Sequence, residues 1–98
     1  MIRRIVKLTF QPEYCTAFEA IFEASKAGIR AFPGCHHLEL WHCKRPQNVY
    51  MTYSHWENED ALEAYRNSAL FKSTWSKTKL LFSDRPQAWS LDICSIPD

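Results

Sequence analysis

Polar and apolar residues alternate from Ile2 to Phe10, with Val6, Leu8 and Phe10 on one face and Ile5, Lys7 and Thr9 on the other. That period of two predicts a strand. From Gln11 the period lengthens. Tyr14, Phe18, Ile21, Phe22, Ile29 and Phe32 follow 3.6-residue spacing closely enough to predict a helix with one buried side. Pro12 suits its first turn, and Pro33-Gly34 stops it. A period of two returns from Cys35 to Cys43. His36, Leu38, Leu40 and His42 share one face, and Cys35, His37, Glu39, Trp41 and Cys43 share the other. A polar turn over 44–48 leads into a third strand, Val49 to Trp56, whose two faces both carry apolar or aromatic residues. Asn58 is a good N-cap, with Glu59 and Asp60 placed where the helix dipole favours negative charge. A helical region then runs from Asn58 to about Leu81, with a break at Asn67-Ser68 and a second cap at Ser68. Asp84-Arg85-Pro86 ends it, and Gln87 to Ile96 reads as the last strand.

The order β, α, β, β, α, β is the split βαβ, or ferredoxin-like, pattern: one antiparallel sheet with helices on one face. We expect a single domain over residues 1–98. The third strand makes neither of its faces for water, and only one face meets helices. A second copy packed sheet to sheet across a two-fold axis is the economical cover, so a homodimer is expected.

Bulk properties exclude several classes. An apolar content of 46%, with 14% aromatic, argues against disorder. A net charge of +1 gives no electrostatic footprint for nucleic acid or an anionic membrane surface. No stretch approaches the roughly 18 apolar residues of a membrane span. Cys15, Cys35, Cys43 and Cys94 form no C-x-x-C element and no zinc-finger spacing. Met1-Ile2-Arg3-Arg4 does not open an apolar leader, so a cytoplasmic chain with reduced thiols is expected.

One stretch carries a resemblance. Tyr53 to Tyr65 reads Tyr-Ser-His-Trp-Glu-Asn-Glu-Asp-Ala-Leu-Glu-Ala-Tyr, and Ser68-Ala69-Leu70-Phe71 follows two residues later. This strand-to-helix segment, with the upstream turn Phe32-Pro33-Gly34-Cys35, resembles the antibiotic biosynthesis monooxygenase family. The resemblance covers nearly the whole chain. It implies a dimeric α+β barrel and a reaction in which O2 oxidises an electron-rich aromatic such as a quinol, with no metal or prosthetic group. Two departures matter. The haem-degrading members carry an Asn, a Trp and a His at positions that match Val6, Tyr65 and Trp75 here, so the axial His is missing. Quinol-oxidising members commonly carry His where this chain has Tyr65.

The candidate chemistry is sparse. His36 and His42 share a strand face but stand about 20 Å apart, so one metal cannot take both. His37 with Cys35 supplies only two ligands, short of a zinc site. No metal is expected. Gly28 and Gly34 are the only glycines, which excludes the usual phosphate-cradling loops. The aromatic set Trp41, Tyr53, Trp56, Tyr65, Phe71, Trp75 and Trp89 is the better lead, either as core or as the wall of a flat apolar pocket. Within it Trp56, Phe71 and Trp75 are expected to contact substrate, and Tyr65 to hold a substrate oxygen. His37 or His55 is the expected base, since unperturbed His alone titrates near neutrality. Two functions stay open: a cofactor-independent monooxygenase, and a non-catalytic dimeric barrel that binds a small apolar ligand or a partner protein.

Overall fold

A computed structural model describes residues 1–98. Its elements are β1 (Ile2–Thr9), α1 (Cys15–Arg30), β2 (Cys35–His42), β3 (Val49–Trp56), α2 (Glu59–Arg66), α3 (Ala69–Thr78) and β4 (Gln87–Leu91). Short 3-10 turns precede α1 at Pro12–Tyr14 and follow α3 at Lys79–Leu81. The strands form one antiparallel sheet in the order β2-β3-β1-β4, the ferredoxin-like arrangement. The caps sit where the sequence places them: Asn58 accepts from the Ala61 amide and Ser68 from the Phe71 amide.

Cross-strand pairing fixes which side chains face the helices. Ile2 pairs with Trp56, Arg4 with Ser54, Val6 with Thr52 and Leu8 with Tyr50. Leu38, Leu40 and His42 join that inner face through β2. The inner face packs into two separate buried clusters. At one end Leu8, Phe10, Phe18 and Tyr50 close together, and Phe10 stacks on Phe18 at 4.3 Å and on Phe82 at 5.2 Å. At the other end Trp56, Cys35 and Leu62 are buried beside Phe32 and Tyr65. Phe10 and Trp56 are almost wholly removed from water, which stabilises by roughly 2–3 kcal/mol each.

Two sequence expectations change. Cys35 does not share a face with His37. The register slips between them, so Cys35 turns inward opposite Trp56 while His37 faces outward opposite His55. The Arg30 guanidinium donates to the Cys35 carbonyl at 2.8 Å and holds this bulge. The last strand also ends early, at Leu91 rather than Ile96. Leu91 pairs with Arg3, and β1 offers only Ile2 beyond that pair.

The outer face carries Ile5, Met51, Tyr53, His55, His37, Glu39, Trp41 and Trp89 with no helix over it. Trp41 is 40% exposed and Trp89 44%. Its polar groups bond to one another. The His37 ring meets the Glu39 carboxylate, Trp41 donates to Glu39 at 3.0 Å, and His55 lies 2.8 Å from the Tyr53 hydroxyl. The His37 bond, and then the Trp41 bond, hold the Glu39 carboxyl below its ordinary range. Burial, then the charges of Arg3 and His37, lower His55 from its ordinary value of about 6.5, against a smaller opposing pull from Glu39.

Two predictions rest on this frame. Gly34 has φ +87°, and a Cβ there would stand 2.5 Å from the Ala61 Cβ. Gly34→Ala therefore combines left-handed strain with a clash against α2, and is expected to cost about 2 kcal/mol or more by urea unfolding. The second concerns pH. Folded His55 resists the proton that unfolded His55 accepts, so protonation favours unfolding. Its stabilising contribution is present above about 6.5 and is lost as pH falls through the lowered folded value. His55→Gln should flatten the fall in melting temperature between about pH 7 and pH 5.

Candidate functional site

The two buried clusters do not merge. Between them, under α1, α2 and α3, lies a cavity of about 310 Å3, at the lower end of the range for small-molecule sites. Its floor is the inner sheet face: Arg4, Val6 and Leu8 of β1, Thr52, Ser54 and Trp56 of β3, Leu38 of β2 and Ala88 of β4. Its roof is apolar side chains of α1, including Phe18, Phe22 and Ile29, with Leu62, Tyr65 and Arg66 of α2 and Phe71 and Trp75 of α3.

The aromatic wall is continuous. Tyr65 stacks on Trp56 at 4.8 Å and meets Phe71 edge-on at 5.2 Å. Phe71 stacks on Trp75 at 5.7 Å, and Trp75 meets Phe82 edge-on at 5.5 Å. The break between α2 and α3 produces this run, because it lets Tyr65 and Phe71 face the same hollow from two helices. Offset and edge-on pairs of this kind hold ring planes in fixed relative positions.

Three of the six hydroxyls of the wall are already satisfied. Ser25 bonds the Ile21 carbonyl at 2.9 Å and Thr78 the Thr74 carbonyl at 2.8 Å. Ser54 accepts from the Trp56 indole at 3.0 Å. Burial, with a smaller push from Cys35, raises the Tyr65 hydroxyl to about 12. Tyr65 is therefore a proton-bearing hydrogen-bond donor at neutral pH and no base. Two guanidinium groups complete the lining, Arg4 and Arg66. No His, Asp, Glu or Cys side chain lines the cavity.

The structure divides the expected site residues. Tyr65, Trp56, Phe71 and Trp75 are brought together in the cavity. His37 and His55 come together as well, with rings 4.9 Å apart, but on the outer face. The sheet stands between them and the cavity, so neither reaches hydrogen-bond distance of a ligand within it. Trp41, Tyr53 and Trp89 share that outer face; Trp41 stacks on Tyr53 at 4.9 Å. Arg4 and Arg66 were not anticipated from sequence. Arg4 has the parity of Val6 and Leu8, and Arg66 follows Leu62 by one helical turn, so a charge inside an apolar stripe was the available signal.

A second hollow, of about 340 Å3, is lined by Glu19, His42 and Tyr50. There the Tyr50 hydroxyl donates to Glu19 at 2.5 Å. Burial, then that bond, raises the Tyr50 pKa far above the usual range, so this link is structural. No three His, Cys, Asp or Glu side chains converge as a metal site would require.

Known proteins share this architecture. A solved structure from Caulobacter crescentus, provisionally named an antibiotic biosynthesis monooxygenase, superposes with a TM-score of 0.89 at 24% identity, over 96% of this chain and 90% of that one. A conserved protein from Methanosarcina mazei gives 0.87 at 16% identity, over 92% and 89% of the two chains. A further antibiotic biosynthesis monooxygenase structure gives 0.89 at 14% identity, over 99% and 100%. These likenesses establish the fold. No curated protein matches the sequence. The family model described as antibiotic biosynthesis monooxygenase matches residues 1–76, most of the chain and all of β1 to α2, and the chain belongs to that family.

Proposed function

We propose that the chain is a small monooxygenase that takes an electron-rich aromatic, quinol-like substrate into the sheet–helix cavity and oxidises it with O2. The observation that carries this reading is the aromatic wall Trp56–Tyr65–Phe71–Trp75 around a cavity of about 310 Å3. Such a wall suits a planar ring system. Family membership supports the reaction class. In this chemistry the substrate anion supplies the electrons, and no separate reductant is needed. An activated methylene of an anthrone, for example, loses two hydrogens; one oxygen of O2 becomes the new carbonyl and the other leaves as water. The protein binds the substrate, orients it and favours its anion. Tyr65, protonated throughout the neutral range, donates to a substrate oxygen.

A non-catalytic binding role is the second reading, and one observation favours it: nothing in the cavity wall titrates near neutrality to serve as a base. The proposed location is the cytoplasm, which the four free thiols suit. No helix is long and apolar enough to cross a membrane.

A homodimer is part of the proposal. The uncovered outer face presents Trp41, Trp89, Met51 and Tyr53 as one contiguous sheet surface. Pairing two such faces would remove on the order of 1,000 Å2 or more from water, enough for a specific interface. It would also bury the His37–His55 pair, which gives those residues an interfacial place instead of a basic one.

Oxygen uptake with a panel of naphthoquinols and anthrones tests the reaction. Uptake well above autoxidation is expected. Tyr65→Phe should lower kcat/KM about tenfold, the loss of one hydrogen bond. Ligand binding with uptake no faster than autoxidation across the panel would leave the binding reading alone standing. Sedimentation equilibrium at micromolar concentration should give twice the chain mass of 11.5 kDa. Trp41→Glu should shift that mass toward the monomer.

A further inference from the structure

The cavity's two arginines have no counter-charge inside it. Arg66 spends one terminal nitrogen on Glu63 at 2.8 Å, yet its Nε is buried with no partner. It is the only buried side-chain polar atom in the chain left so. A buried unsatisfied donor on a charged group is costly and requires an explanation. Arg4 spends one terminal nitrogen on Ser90 at 3.0 Å, on the neighbouring strand. Burial, and then the positive charge of Arg66, make the Arg4 charge less favourable, with Glu59 offsetting part of this. The two guanidinium groups thus repel one another at a largely apolar hollow whose own wall supplies no carboxylate.

We infer that the cavity is built for an aromatic anion, whose phenolate or carboxylate oxygen sits between Arg4 and Arg66 while its ring lies against Trp56, Tyr65, Phe71 and Trp75. This rests on the reading of the cavity as the ligand site, and it deepens that reading by giving the ligand its charge. An anion at this point offsets the Arg4–Arg66 repulsion and meets the terminal nitrogens that Ser90 and Glu63 leave free. Guanidinium groups suit such an oxygen because they offer planar, charge-assisted donors. The inference also answers the missing base. A phenol bound here loses its O–H proton to bulk water, because the two fixed positive charges favour the phenolate. The O–H pair stays on oxygen, and no electron leaves the ligand in that step.

The test titrates the tryptophan fluorescence of the full chain with three probes: a naphthalene carboxylate, its neutral methyl ester, and a naphthol. The carboxylate is expected to bind at least tenfold tighter than the ester, or the bound naphthol to ionise about one pH unit lower than it does free. The first result identifies a carboxylate ligand and the second a phenolate. Arg66→Gln and Arg4→Gln should each reduce the preference of carboxylate over ester about tenfold, with a circular dichroism spectrum like that of the wild-type chain showing that the variant is folded. If a variant does not fold, added salt on the wild-type chain serves instead, weakening the carboxylate and sparing the ester. Equal binding of carboxylate and ester with no shift in naphthol ionisation would overturn the anion inference and spare the cavity reading. Binding of none of the three would overturn both.

Discussion

The structure depends on two aromatic clusters that hold the helices off the sheet at either end. Phe10, wedged between Phe18 and Phe82, fixes one end; Trp56, under Tyr65 and Phe32, fixes the other. Close-packed interiors rarely tolerate large voids, since lining atoms lose their dispersion partners. Rigid rings brace the margins of the hollow of about 310 Å3. The same rings form its wall. Tyr65 and Trp56 belong at once to a buried cluster and to the cavity lining. Support and binding surface are here one set of side chains, so a substitution aimed at the ligand also reaches the brace.

The sheet's pleat divides the chemistry. Residues on its inner face meet the cavity, and those on the outer face meet the solvent side. The imidazoles of His37 and His55 lie outside, whereas the charges inside are the guanidinium groups of Arg4 and Arg66. The interior field is consequently constant where the outer face is pH-sensitive. A buried Tyr raised to about 12 belongs to the same logic, since it remains a donor throughout.

Much of this was legible in the sequence. Periodicity and breaker residues located all seven helices and strands, and Asn58 and Ser68 marked the helix starts because their side chains satisfy amides that nothing else can. The aromatic half of the site followed from the same stripes. Parity also held more than was taken from it. His55 and Trp56 are neighbours on a strand, so they point to opposite faces and cannot share one pocket. The bulge at Cys35 was not legible, because it depends on Arg30 reaching the Cys35 carbonyl from the end of α1. Nor was the early end of β4, which is set by how far β1 extends to meet it. Arg4 and Arg66 escaped notice because charged residues are ordinarily solvated; what marks them is tertiary, an Nε shut away from water and a second guanidinium nearby.

An arginine pair and a general base are not equivalent ways to make a substrate anion. A base removes the proton but must itself then carry a charge within the hollow, and it works well only near its own pKa. Fixed cations act on the equilibrium instead. Set among side chains as apolar as Phe18, Phe22, Ile29 and Leu62, they need no reorganisation when the charge develops. Their positions are set by contacts outside the cavity, Arg4 by Ser90 of β4 and Arg66 by Glu63 of α2. The donors are thus aimed before any ligand arrives, and each guanidinium keeps a second terminal nitrogen that a ligand oxygen can take without breaking a bond already made.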